Sequence, residues 1–374
     1  MSVLNVVHVA QPTGGGVAAY LVAACRDQLA RGWDVAVACP PGGRLAADLA
    51  GLGVPWLSWP ARRGPGTDAR DEARRLADLV ARRRPDVVHL HASKAGLAGR
   101  LALRRRRPTL FQPHAWSWLA ADGALRRASI AWERVAARRT ELFVCVGAAE
   151  VEQGRAMGVR GRYTVVRNGV DLDRFPPADD RDRTAARRRL GVDPAVPLAV
   201  CVGRVTRQKG QDMLVSAWHR VRRHCPDAEL SLVGDGDLLP ALRATPVPGV
   251  RFAGAVTDVR PWLVAADLVV LPSRWEGLPL TALEALATGR CVVASAVPGL
   301  AELLAPGAGA LVAPEDPAAL AGALALRLRD PARTGAEGVA AARHARQFDI
   351  RRTFDRLATA TQRVAATTHR EVFA

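Results

Sequence analysis

The segment Glu276-Gly277-Leu278-Pro279-Leu280-Thr281-Ala282-Leu283-Glu284 sets two carboxylates on either side of a proline. Pro279 suits a first helical turn, because its missing N–H would have no intrahelical partner anyway. Glu276 then lies in a loop and Glu284 inside a helix, too far apart along the axis to act as a dyad. They read as two separate hydroxyl acceptors along one ligand, with the helix N-terminus between them turned to phosphate. The bland alternative is a helix-start glutamate and a surface glutamate. A second candidate is Gly203-Arg204-Val205-Thr206-Arg207-Gln208-Lys209-Gly210, in which an arginine and a lysine flank a turn before a helix. Two cations and helix-end amides suit a diphosphate, although such pairs are often solvated surface charge. Composition favours the first reading: Lys94 and Lys209 are the only lysines, and one of them sits here.

Other candidates are weaker. Gly14-Gly15-Gly16 opens a helix, where backbone N–H groups can meet a phosphate, but a plain tight turn accounts for it equally well. His89, His91 and His114 end two strand-like runs. His89 and His91 alternate on one strand face, and no carboxylate or cysteine nearby completes a metal set, so no metal is expected. His114, within Pro113-His114-Ala115-Trp116, reads as a wall of an active site. The D-x-D matches at 171–173, 180–182 and 235–237 are frequent by chance and are not read as a metal site.

Two series of apolar runs must position these groups. The first comprises Leu4–Ala10, Asp34–Cys39, Asp86–His91, Thr109–His114, Glu141–Val146 and Tyr163–Arg167. The second comprises Leu198–Gly203, Glu229–Val233, Val250–Ala253, Leu268–Pro272, Cys291–Ser295 and Ala310–Ala313. Strands that are apolar throughout and alternate with helical patterns mean parallel sheets covered on both faces. The expected architecture is α/β, with two doubly wound Rossmann-like domains. Residues 1–168 form the first and 196–348 the second. A polar, proline-marked stretch, 169–195, reads as a linker, and 349–374 as a C-terminal helix crossing back to the first domain. In such sheets ligands lie beyond the carboxyl ends of the strands, so the default site is a cleft between the two.

Composition narrows the function classes. The net charge is +17, which on its face asks for a polyanion. Yet 51 of the 53 basic residues are arginines, a skew that points to coding bias. The charge is also uneven: 1–190 holds 32 basic and 18 acidic residues, or +14, whereas 191–374 holds 21 and 18, or +3. Aromatic residues make up 5% and no nucleic-acid motif occurs, so a basic nucleic-acid-binding protein is only a rival reading. Arg62-Arg63, Arg82–Arg84, Arg104–Arg107, Arg126-Arg127 and Arg138-Arg139 suggest an anionic membrane surface as a partner, with Trp116, Trp118 and Trp132 as interfacial candidates. Six cysteines without a C-x-x-C pair read as buried thiols in a reducing compartment. No run approaches the ~20 apolar residues of a membrane span. A cytoplasmic protein is expected, with peripheral docking at the inner face of the membrane.

Taken in order, the Gly-rich loop 14–16, Asn168-Gly169-Val170-Asp171 with Phe175, Gly203-Arg204 with Lys209-Gly210, Gly234-Asp235-Gly236 and Glu276 to Glu284 resemble a family 4 glycosyltransferase of GT-B architecture over nearly the whole chain. The stretches His91-Ala92-Ser93-Lys94-Ala95-Gly96 and Pro113-His114-Ala115-Trp116-Ser117 resemble bacterial members of surface-polysaccharide and glycoconjugate assembly. The resemblance implies a retaining transferase that moves a hexose-type sugar from a nucleoside-diphosphate sugar, UDP being favoured, to an unknown hydroxyl acceptor, without a cofactor or metal. It implies that Arg204 and Lys209 hold the diphosphate beside Gly203, that Glu284 accepts the ribose hydroxyls, and that Glu276 binds the transferred sugar. His114 would face that sugar, Gly15 and Gly16 would close on the distal phosphate, and the amides of Leu280 and Thr281 would cap it. The base would lie near Gly254–Asp258, around Val256. Leu278 stands where many members have Phe, Arg167 precedes Asn-Gly where Pro is common, and Pro298–Glu302 is a looser form of the usual Gly-Pro-Glu element. Within enzymes, a GT-B sugar phosphorylase or a nucleotide-sugar epimerase is the rival.

Overall fold

The computed structural model describes residues 3–64 and 68–372. The chain divides into two compact units, residues 1–168 with 352–374, and 169–351. The first unit holds a seven-stranded parallel sheet of β1 (Asn5–Ala10), β2 (Asp34–Cys39), β3 (Trp56–Ser58), β4 (Val87–His91), β5 (Thr109–Gln112), β6 (Leu142–Cys145) and β7 (Tyr163–Val165). Their order is β3-β2-β1-β4-β5-β6-β7. The second unit holds a six-stranded parallel sheet of β8 (Leu198–Val202), β9 (Glu229–Val233), β10 (Val250–Gly254), β11 (Leu268–Leu271), β12 (Cys291–Ser295) and β13 (Gly309–Val312), in the order β10-β9-β8-β11-β12-β13. Both are doubly wound. Each reverses direction beside its first strand, between β1 and β4 in one sheet and between β8 and β11 in the other. At such a switch point the connections on either side diverge and leave a crevice at the strand ends.

The strands form because their residues are β-branched or otherwise apolar and face helices on both sides. β4, β5, β8, β11 and β12 are buried at every position. In the first sheet Val7, Val9, Val88, Leu90 and Phe111 pack on one face, while Val6, Val35 and Val37 pack with Leu21 and Cys25 on the other. In the second unit Ala199, Cys201, Leu230, Leu232, Val270 and Val293 meet Leu214, Trp218 and Leu324. All six cysteines are buried free thiols. Trp116 and Trp118 are also core, stacked at 4.5 Å between ring centroids, which removes them as interfacial candidates.

Several expectations need correction. β3 escapes the sequence reading because it is three residues long, lies at the sheet edge and carries a Trp56 that is 40% exposed, so no apolar run marks it. β5 stops at Gln112, since Pro113 has no N–H to give a ladder and His114 and Ala115 turn left-handed, with φ of 53° and 83°. The stretch 169–195 is not a plain linker. It carries the helix Asp180–Leu190, started by a reciprocal capping box between Asp179 and Asp182 and ended by left-handed Gly191, and it belongs to the second unit. Its helix buries little besides Arg187, so no apolar periodicity announces it. The last helix spans Ile350–Val372, and from Arg352 onward the chain groups with the first unit.

Candidate functional site

In the second unit Lys209 and Glu276 come together where β8 and β11 end. After β8 the chain runs through Gly203 and exposed Arg204 to a short turn, Arg207–Lys209, and then to the helix Gln211–His224. Gly210 joins turn to helix at φ 68°, and a Cβ there would lie 2.0 Å from the Pro272 carbonyl oxygen. Only glycine permits that approach, so this residue sets the β8 loop directly on the β11 loop. The two loops are then tied by hydrogen bonds. Arg274 N–H donates to the Gln208 carbonyl at 2.8 Å, and the Gln208 side-chain amide donates to the Trp275 carbonyl at 3.1 Å. The Arg274 guanidinium grips both Asp212 oxygens at 2.9 Å and also reaches Glu315 at 2.9 Å. The hydrogen-bonded guanidinium holds the Asp212 carboxyl below the usual range against the opposing effect of burial.

This scaffold brings Lys209 and Glu276 into contact, Nζ to Oε1, at 2.5 Å. Glu276 is buried, and the Ser273 hydroxyl donates to the same oxygen at 2.7 Å. A charge-assisted pair with a third donor fixes the carboxylate orientation. Lysine and glutamate lie 67 positions apart in sequence, so their pairing is a product of the fold. Ser273, Arg274 and Asp212 have no sequence signal of their own. Only their position at a strand end and a helix start could have drawn attention to them.

Glu284 lies in the helix Leu280–Ala287, whose N-cap is Pro279. The amides of Leu280 and Thr281 fall in its first turn and have no carbonyl one turn back to accept from them. Burial pushes the Glu284 carboxyl up to about 7; Arg174 opposes the shift and Asp258 adds to it. Arg174 is positioned by the Asn-Gly-Val-Asp element: Asp171 Oδ1 accepts from the backbone N–H groups of Asp173 and Arg174 at 3.1 and 3.0 Å, and the Arg174 guanidinium donates to Asp258 at 3.3 Å. Val256 follows β10 in the same loop as Asp258 and is half-buried.

In the first unit Gly15 and Gly16 are exposed at the start of the helix Gly15–Ala30. His114 stands in the turn after β5. That turn is pinned by the buried carboxylate of Glu150, which accepts from Ala115 N–H at 2.7 Å and Val146 N–H at 2.8 Å. Two consecutive left-handed non-glycine residues persist only where the surroundings over-determine them. Lys94 is spent within the unit, paired with Glu72 at 2.7 Å and buried.

The histidines hold a correction. His8, absent from the sequence reading, aligns with His89 through the β1–β4 register, while His91 aligns with Gln112 across β4–β5. Strand alternation puts these side chains on one face. His8, His89 and His91 have ring nitrogens within 4.8 Å of one another, a spacing that could hold a metal ion, so a third residue does complete that set. His8 Nδ1 and His91 Nε2 lie 2.9 Å apart, hydrogen-bonded to each other.

Two doubly wound parallel units, each with candidate groups beyond the carboxyl ends of its strands, define the class of two Rossmann-like domains known as GT-B. The structure aligns with a TM-score of 0.80 to a solved Anabaena protein, HepE, described in complex with UDP and glucose; the match covers 96% of this chain and 99% of that one at 22% identity. Residues 14–174 match the profile "Glycosyltransferase Family 4", and residues 196–330 match "Glycosyl transferases group 1". The chain is 30% identical to a D-inositol 3-phosphate glycosyltransferase of Jonesia denitrificans, over 94% of this chain and 91% of that one. It is 36% identical to a GDP-mannose-dependent monoacylated alpha-(1-6)-phosphatidylinositol monomannoside mannosyltransferase of Corynebacterium glutamicum, over 50% of this chain and 53% of that one. The match thus spans about half the length of this and another of the curated relatives. The chain belongs to glycosyltransferase family 4.

Proposed function

We propose that this protein transfers a hexose-type sugar from a nucleoside-diphosphate sugar to a hydroxyl acceptor with retention of anomeric configuration. The observation that carries this reading is the Lys209–Glu276 pair at the end of β8 and β11, with Arg204 on the same loop and the helix at Leu280 opening beside it in sequence. Cations and helix-end amides suit a leaving diphosphate, and a buried carboxylate beside them suits the hydroxyls of the sugar attached to it.

The chemistry assigned to the residues follows. The bond between the anomeric carbon and the diphosphate oxygen breaks, and negative charge grows on the diphosphate. Arg204, Lys209 and the amides of Leu280 and Thr281 stabilise that charge without a divalent ion. Preorganised donors of this kind are worth about 2.7–4 kcal/mol each. The acceptor oxygen bonds to the carbon from the face the diphosphate leaves, and the acceptor proton passes to the departing phosphate oxygen. Glu276 holds the sugar hydroxyls, Glu284 accepts from the ribose, and backbone near Val256 meets the base. By the family resemblance, Gly15 and Gly16 are assigned to the distal phosphate and His114 to the sugar. UDP is the nucleotide read from the resemblance. The UDP-bound relative supports it, whereas the Corynebacterium relative uses GDP-mannose.

A thermal-shift panel of UDP-, GDP- and ADP-sugars tests the donor class, followed by product mass with candidate acceptors. Stabilisation by one nucleotide series and a mass gain of one hexose on an acceptor are expected. Stabilisation by none of them would remove the reading. Release of sugar 1-phosphate from a glycan given inorganic phosphate, or isomerised donor without acceptor, would replace it by a phosphorylase or an epimerase.

A further inference from the structure

Four polar side chains form one line beneath the helix Gly15–Ala30. Gln28 Oε1 lies 2.8 Å from His8 Nε2, His8 Nδ1 lies 2.9 Å from His91 Nε2, and His91 Nδ1 lies 3.1 Å from His114 Nε2. Gln28, His8 and His91 are at most 1% exposed, so water does not substitute for any of these partners. Burial drives the His8 ring down to about 4 and His114 to about 3, and it lowers His91 as well, so the imidazoles are neutral at neutral pH.

A neutral imidazole carries one donor nitrogen and one acceptor nitrogen. Rings bonded through both nitrogens must therefore all point the same way, and the end of the line sets the direction. Gln28 presents a carbonyl oxygen, which only accepts. His8 must donate from Nε2 and accept at Nδ1. His91 must then donate from Nε2 and accept at Nδ1, and His114 must donate from Nε2. Its remaining nitrogen, Nδ1, keeps its lone pair.

We infer that Gln28, His8 and His91 are positioning residues that lock His114 in the Nε2–H tautomer, so that Nδ1 accepts a hydrogen bond from a hydroxyl of the sugar substrate. This rests on the proposed role of His114 at the sugar. Tyr20, eight residues before Gln28 on the same helix, packs edge-on to His114 at 5.3 Å between centroids and holds the ring in place. One helix thus carries the Gly15–Gly16 start, the ring that orients His114 and the amide that sets its tautomer.

The line also explains three histidines that would otherwise bury polar groups at a cost. A metal is the competing use of His8, His89 and His91. It would require the His8–His91 hydrogen bond to break.

The experiment is long-range 1H–15N correlation on the full chain labelled at histidine nitrogen, for wild type, Gln28→Met and Gln28→Glu, with sugar transfer measured in parallel. Wild type is expected to show Nε2–H at His8, His91 and His114. Gln28→Met, which keeps the volume but removes the acceptor oxygen, is expected to lose the single tautomer at His114. It should also lower kcat about tenfold, the scale of one hydrogen bond, with KM for the nucleotide sugar little changed. Gln28→Glu restores an acceptor and should restore both. An Nδ1–H His114 in wild type, an unchanged tautomer in Gln28→Met, or stoichiometric zinc retained after dialysis would overturn the inference. The tautomer is read without substrate, so a failure of the proposed function leaves this result separately legible.

Discussion

Glu284 is the residue whose chemistry most directly follows from its surroundings. Burial pushes its carboxyl up to about 7, penalising the charge more than Arg174 repays it. A carboxylate accepts from ribose hydroxyls more strongly than a neutral carboxyl does. Nucleotide binding is therefore expected to tighten as pH rises from about 6 to about 8, and Glu284→Gln is expected to flatten that profile in calorimetric titrations with UDP. The effect on stability has the opposite sign. The folded-state value lies above the ordinary 4.5, so the folded chain binds the proton more tightly than the unfolded chain does. This contribution is full below about 4.5 and is lost as pH rises to about 7. A pH-independent nucleotide affinity in wild type would contradict the role given to Glu284.

At the scale of elements, the β8 and β11 loops work as one piece because Gly210 lets them touch. Gly210→Ala forces a Cβ against the Pro272 carbonyl and adds a side chain at φ 68°. Transfer is expected to fall by at least tenfold, about 1.4 kcal/mol, together with a lower melting temperature. Unchanged activity would mean that the loop contact does not position Lys209. This element also marks the limit of the sequence. Arg204, Lys209, Glu276 and Glu284 are legible because unusual residue types follow apolar runs, and strand ends in doubly wound sheets are where ligands lie. The Lys209–Glu276 contact is not legible, since it depends on how two loops 67 residues apart meet. His8 is missed for a related reason: it lies within an otherwise apolar strand, and only the β1–β4 register brings it beside His89. The helix Asp180–Leu190 is missed because capping and a buried arginine hold it without an apolar stripe.

At the scale of the whole molecule, the uneven charge remains as a feature of the first half of the chain. The helix Gly123–Ala136 carries exposed Arg126, Arg127 and Arg134, with Leu125 50% and Val135 58% exposed. No helix among the described residues is long and apolar enough to cross a membrane. Basic residues near an anionic leaflet gain ~1 kcal/mol each, and exposed apolar side chains add to that. Vesicles with anionic lipid are expected to float more of the protein than neutral vesicles do, and Arg126→Glu with Arg127→Glu should reduce the difference. Equal recovery from both vesicle types would remove the membrane as a partner.

The central claim is that Lys209 and Glu276 serve one reaction at a nucleoside-diphosphate sugar. The most direct test is the rate of nucleoside-diphosphate release from the nucleotide sugar that stabilises the protein most, in the presence of the acceptor that gains a hexose, for wild type, Lys209→Ala and Glu276→Ala, with the anomer of the glycoside product read by NMR. Each variant is expected to remain folded, to lose about 10²–10³ in rate, and wild type to retain configuration. Wild-type rates in either folded variant, or an inverted product from wild type, would contradict it.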